Sequence, residues 1–228
     1  MSFLDRTVDD TEDTAKRRQI IGGARSVFMA VGYDAASMGE IAKSAGVSKG
    51  TLYVYFKDKD ELFEAIVAKE CAFHAEGVFS FDVADPDIAG TLTHLGVAFA
   101  KVMCTPARQS SLRTVIGIAD RKPNIGRVFY ETGPARGIAK LSAYLELHIK
   151  DGLLDIEDCE VAAAQFMESC LATTIKPVLF NFGPPPTPER IEHVVRIAVK
   201  TFMAAYGRDP GKDPAQADVK PCAAARRR

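Results

Sequence analysis

Residues 41–56, "IAKSAGVSKGTLYVYF", constrain the fold more than any other stretch of the chain. Two short helices that meet at a tight corner need a small residue where the first packs on the second, and Ala42 supplies it. The corner itself needs a residue that tolerates positive φ, and Gly46 supplies that. Ile41, Val47 and Leu52 are the apolar side chains that lock such a pair to a supporting helix, and Ser48 is placed to cap the second helix. Ser37 precedes Glu40 by three, a capping-box pattern that starts the first helix near Met38.

The spacing Ala42, Gly46, Leu52 is that of a helix-turn-helix, whose second helix enters the DNA major groove. The periodic stretches around it also read as helix. Residues 15–31 place Ile20, Ala24, Val27, Phe28 and Val31 on one face and end at Gly32. Asp58 and Glu61 repeat the capping pattern and open a helix to about residue 79. Asp85-Pro86 and Thr105-Pro106 have the form of cap-plus-proline starts. Residues 123–150 carry Pro134, which predicts a kink or a break near Gly133. One helix is expected over 157–180 and a last one over 188–206. The fold class expected is all-α, divided into a flexible acidic arm (1–13), a three-helix DNA-binding head (14–60), a larger helical domain (61–206) and a disordered tail (207–228).

Charge is distributed in keeping with that division. Residues 14–59 hold eight bases and three acids, a net of +5, which leaves −6 for the rest of a chain whose formal net charge is −1. A basic head on an acidic body places any polyanion-binding face at the head. On the outer face of the second short helix, Lys49, Gly50 and Thr51 offer a cation, amides and a hydroxyl to phosphates or base edges. Gly50 is a poor helix former, costing ~1 kcal/mol relative to alanine, so a close backbone approach accounts for it. Tyr53 and Tyr55 have hydroxyls for phosphate and rings for sugar or a thymine methyl. Lys57 and Lys59 flank the start of the next helix.

The run "SMGEIAKSAGVSKGTLYVYFKDKDELF", with the helix before it, resembles the N-terminal DNA-binding domain of the TetR/AcrR family of transcriptional regulators, over about residues 14–62. The corner, the "GTLYxYF" core and the following "KxKxEL" all fall in register. The resemblance implies that Ser37, Lys49, Thr51, Tyr53, Tyr55 and Lys59 touch DNA. Val54 stands where many members have histidine, so any contact there is lost or apolar. The resemblance further implies that the C-terminal part senses a ligand and dimerises, and "RTVIGIADRKPNIGRVFYETGPARGIAKL" looks like the subgroup found in repressors of multidrug efflux operons.

The last two expected helices are apolar over much of their circumference, through Val161, Ala162, Ala163, Ala164, Met167 and Leu171 in one and Ile191, Val194, Val195, Ala198, Phe202 and Ala205 in the other. Such helices must be covered on more than one side. A homodimer interface built from them would do so, and a two-half-site operator needs a dimer. Polar residues within apolar runs (His94, Arg113, Tyr130, Thr132, Gln165) and the rings or thioethers of Phe99, Met103, Phe129, Tyr144 and Phe166 are candidates for a pocket suited to a hydrophobic or amphipathic effector. Arg113 stands out, because a buried guanidinium needs a partner.

Other classes find less support. No nucleophile elbow, phosphate-binding glycine loop or zinc-protease signature is present, so no enzymatic activity and no cofactor is expected. Cys71 and His74 are two metal ligands where a structural site needs four. Five scattered cysteines (71, 104, 159, 170, 222) and an acidic N-terminus without an apolar segment fit a cytoplasmic, nucleoid-associated protein. No apolar run reaches the ~18 residues of a membrane span. A thiol-based redox regulator with the same head, and a ligand-free architectural DNA-binding protein, are the alternatives.

Overall fold

The structure is a computed structural model that describes residues 5–79, 82 and 85–208; the side chains of residues 5–14, 74 and 76 lie outside that description. Within it the chain is helical, with an isolated bridge between Leu154 and Gly207 and no strand among the described residues. Of the expected disordered tail, Gly207 and Arg208 are instead tied to the body, through the Leu154–Gly207 bridge, the Arg208 N–H on the Leu153 carbonyl at 3.0 Å and an Arg208–Asp155 ion pair. Residues 209–228, with Cys222 and the terminal "RRR", and the His74 side chain lie outside the described residues.

The head opens with α1 (Asp5–Ala35), whose regular geometry breaks at Gly32 (φ 79°, ψ 171°), the residue expected to end it. Its start at Asp5 makes most of the expected flexible arm helical. Next come α2 (Met38–Ala45) and α3 (Lys49–Tyr55). Then α4 (Lys59–Val78), capped by Asp58 through the Glu61 N–H, leads out of the head. The core under the head joins Ile20, Ile41, Leu52 and Phe56 to Leu62, Phe63 and Cys71 of α4, and also to Val115, Ile118 and Ile125 from farther along the chain. The boundary expected at residue 60 therefore falls just inside a helix whose first half packs with the head.

The body consists of α5 (Ile88–Met103), α6 (Pro106–Ala119), α7 (Pro123–Thr132), α8 (Pro134–Lys150), α9 (Cys159–Cys170), α10 (Ile175–Leu179) and α11 (Pro188–Tyr206). Its core is built where α5, α8, α9 and α11 meet, around Leu92, Leu141, Leu145, Phe166, Val195 and Phe202. No single helix among the described residues is long and apolar enough to cross a membrane.

Most local signals operate as expected. Thr105 caps α6 with Pro106 at the first turn, Thr187 and Pro188 start α11 in the same way, and the chain breaks at Gly133 before Pro134. Two expectations need correction. The cap of α5 is Asp87, which accepts the Gly90 N–H at 2.8 Å, while Asp85 accepts the Asp87 N–H and only shapes the approach. The single helix expected over 157–180 is two, α9 and α10, separated by Thr173 at φ 65°. Pro177 explains the break: in a continuous helix it would have to donate to the Thr173 carbonyl, and it has no N–H to do so. In α10 it occupies the first turn, where no intrahelical donor is required.

Candidate nucleic-acid interface and effector cavity

The head is set by close backbone approach. A Cβ built on Gly23 of α1 would lie 2.5 Å from the Ala45 Cα of α2. Gln19 donates to the Ala45 carbonyl at 2.6 Å and Ser44 to the Gly23 carbonyl at 3.1 Å, fixing the two helices face to face. Ser37 forms the expected capping box with Glu40, whose carboxyl is held below its ordinary value first by the Ser37 hydroxyl and then by the Ser37 N–H. Gly46 takes the left-handed conformation at φ 65° and turns the chain into α3. Ser48 caps α3 through the Thr51 N–H at 2.9 Å.

The outer face of α3 carries the expected residues. Lys49, Gly50 and Tyr53 are exposed, Thr51 and Tyr55 are half-buried, and Val54 is 82% exposed. Tyr55 packs its ring against the head core. Nothing among the described residues requires glycine at position 50: an added Cβ would meet the Ser48 hydroxyl, at 3.7 Å. Lys59 is placed differently from the expectation. Its ammonium donates to the carbonyls of Tyr33, Asp34 and Ala36 at 2.8, 3.2 and 3.1 Å, and sits over the Tyr33 ring. These contacts lie at the end of α1, so in this structure Lys59 ties the start of α4 to the end of α1 rather than standing free toward solvent.

Between α4, α5, α6, α7, α8 and α9 lies a cavity of about 290 Å³. Phe99, Met103 and Phe129 line it as expected, with Phe79, Ile138, Met167 and Leu171. The other expected residues are elsewhere. Arg113 is exposed and donates to the Val178 and Leu179 carbonyls at 3.2 and 3.3 Å, capping α10. Tyr130 is exposed, while Tyr144 and Phe166 are buried in the body core, where Phe166 packs edge-on to Phe202. Thr132 bonds back to the Val128 carbonyl, and Gln165 accepts from Tyr206 on the surface. His94 rims a larger but shallow, open groove between α5 and α11.

The buried arginine is Arg108, not Arg113. It lines the cavity at 8% exposure, with both terminal nitrogens 3.8 Å from Cys71 Sγ and the guanidinium over the Phe129 ring. Helical spacing contains the signal: 108, 112, 115 and 119 form one stripe of α6 that also carries Leu112 and Val115, and Arg113 lies off it. Burial raises the thiols of Cys104 and Cys159, and pushes that of Cys170 up to about 12, which disfavours the thiolate at all three.

Comparison with known proteins matches two family models, the bacterial regulatory proteins of the tetR family over residues 20–66 and the AefR-like transcriptional repressor C-terminal domain over residues 90–208. The chain belongs to the TetR family. Among solved structures, a TetR-family regulator from Mesorhizobium loti is 30% identical with a TM-score of 0.79, over 86% of this chain and 98% of that one. The flavonoid-responsive regulator FrrA is 27% identical with a TM-score of 0.75, over 87% of this chain and 100% of that one. The repressor AcnR of Corynebacterium diphtheriae is 35% identical over 71 residues, 31% of this chain and 37% of that protein. The chain spans about a third of the length of the curated relatives it matches.

In this TetR-family chain the cavity walls and the head are joined by charge. Arg121, in the turn after α6, makes a two-pronged pair with Asp34 at 3.1 and 2.9 Å. Lys122, the cap residue of α7, pairs with Asp60 at the start of α4, and the same carboxylate accepts from the Tyr33 hydroxyl. Burial raises the Asp60 pKa, but the hydrogen bonds from Lys122 and Tyr33 and the charges of Lys122 and Lys59 outweigh it and hold the carboxyl below its ordinary value. Burial, and then the Asp60 hydrogen bond, push the Tyr33 phenol up.

A depressed carboxyl adds stability above its unfolded pKa, and that stability is lost as pH falls through the folded value. Asp60→Asn is therefore expected to destabilise the protein by about 1 kcal/mol near neutrality, since the pair is part-exposed. Below about pH 4 the gap to wild type should close. Urea midpoints from pH 7 to pH 3 check this, and a gap that persists into acid would mean the cluster is not the cause.

Proposed function

We propose that the protein is a ligand-responsive, sequence-specific transcriptional repressor that binds a palindromic operator as a homodimer, in the cytoplasm on the nucleoid. The observation that carries the reading is the face of α3. Lys49, Gly50, Tyr53 and the 82%-exposed Val54 stand in solvent on a short helix held from behind by Leu52. Packing among the described residues does not account for Gly50, and a phosphate or base edge approaching the backbone would. Ser37 would add its contact from the start of α2, and Thr51 and Tyr55 from the edges of α3.

The effector would enter the 290 Å³ cavity, whose apolar lining suits a hydrophobic or amphipathic molecule. The relative named for its response to flavonoids supports a small-molecule effector of that kind. Ligand seated against Arg108 and Phe129 would bear on α6 and α7, and Arg121 and Lys122 in the turn between them hold Asp34 and Asp60 of the head. A shift there would change the separation of two heads in a dimer, and release follows if the ligand favours the mismatched state. For the dimer itself, the stripe Ile191, Val194, Val195, Ala198 and Phe202 is already buried within one chain. The faces left to meet a second copy are the outer ones of α9 and α11, where Val161 and Ile197 remain about half exposed.

The test is fluorescence anisotropy with DNA from upstream of the protein's own gene against scrambled DNA. Tyr53→Ala is expected to weaken operator binding roughly ten- to a hundredfold, the loss of one specific contact of ~1–3 kcal/mol. Gly50→Ala should weaken it too while raising stability by up to about 1 kcal/mol through helix propensity. Undiminished operator affinity in both variants would remove α3 as the reading helix.

A further inference from the structure

We infer that the effector cavity selects an anion: its ligand is a compact, apolar-bodied molecule bearing one acidic group, a carboxylate or an ionised phenol, that pairs with Arg108. The inference rests on the reading of the cavity as the effector site and specifies the chemistry of its ligand. Arg108 is always charged, and it is more than nine-tenths buried. Among the described residues its terminal nitrogens find one hydrogen-bond acceptor, the weak Cys71 Sγ at 3.8 Å, its Nε finds none, and the guanidinium otherwise lies over the Phe129 ring. No carboxylate pairs with it among the described residues. Glu168, the acidic residue on the cavity wall, is exposed on α9 and forms no ion pair with it.

A buried guanidinium without an anion is costly, and the cost is removed when a ligand brings the anion. The planar fork favours an acceptor with two oxygens. Around it Phe79, Phe129, Ile138, Met167 and Leu171 leave room for an apolar body and little else that is polar. The volume, at the lower edge of the ~300–1,000 Å³ usual for small-molecule sites, fits a bicyclic or short-chain acid better than a long-chain lipid.

The experiment titrates the full chain, free of DNA, with 2-naphthoate and with its uncharged analogue 2-naphthamide by calorimetry. The acid is expected to bind on the order of ten- to a hundredfold more tightly than the amide, the ratio set by one charge-assisted pair. Arg108→Gln should abolish that preference while leaving amide binding in place, and Cys71→Ala should keep it. If Arg108→Gln fails to fold, Arg108→Met serves instead, and it should unfold at a higher temperature than wild type because a buried charge is gone. Equal affinities in wild type, a preference that survives at position 108, or binding of neither compound overturns the inference. Operator release is read separately by anisotropy: acid bound through Arg108 with the protein still on its DNA would sink the regulatory reading and leave the anion site standing.

Discussion

Leu52→Ala is expected to lower stability by about 2–5 kcal/mol and to abolish operator binding. Leu52 is wholly buried and is the buried residue within α3. A helix of seven residues has almost no stability of its own, so its attachment depends on that side chain and on Phe56 just beyond its end. Truncation leaves a cavity in the head core to which Leu52 belongs. The α3 face would then no longer be held at the angle that reading a groove requires. Chemical denaturation and anisotropy measure the two effects together. A stable variant that still selects the operator would show that Phe56 alone docks the helix.

The second large effect is at Gly23. Gly23→Ala places a methyl group 2.5–2.7 Å from the Cα, N and Cβ of Ala45, which are mostly backbone atoms and do not yield by a rotamer change. Either α2 moves away from α1 or the helices strain in place, at about 1–3 kcal/mol. The Gln19 and Ser44 bonds across the same contact would lengthen, and α3 would move with α2 through the Gly46 corner. Operator affinity should fall by more than the stability loss alone produces, because even a small displacement misplaces the reading helix. Melting temperature and anisotropy on one preparation separate the two. Affinity that falls only in step with the folded fraction would refute a geometric role for Gly23.

The motif in the head was legible because each of its requirements is local. A cap, a left-handed corner and a buried leucine each involve residues a few positions apart, and Ser37, Gly46, Ser48 and Leu52 take those places in the structure. Gly23 was missed because the reason for it lies twenty-two residues away in α2. Lys59 shows the same limit in a charged side chain. A basic residue at a helix start reads as a phosphate contact, and only the fold brings three carbonyls at the end of α1 beside its ammonium.

In the body, Arg113 was expected as the enclosed guanidinium, but it lies exposed and Arg108 is buried instead. Phe99, Met103 and Phe129 fall on the cavity, whereas Tyr144 and Phe166, equally apolar in sequence, fall in the solid core. Periodicity sorts side chains into inward and outward faces but does not distinguish a packed interior from a hollow one. The break at Thr173 is intermediate, since Pro177 announces it but a continuous apolar pattern conceals it.

The sequence by itself thus determined the helical class, the corner that makes two short helices one unit, and the face of α3 that meets solvent. Each depends on interactions within a turn or two of helix. Only the tertiary structure decided that Lys59 braces the head, that Arg108 is the cation enclosed in the cavity, and that Arg121 and Lys122 tie the cavity helices to it. Those facts depend on which distant helices pack side by side, and that is set by the complementarity of whole surfaces, which no short window of residues contains.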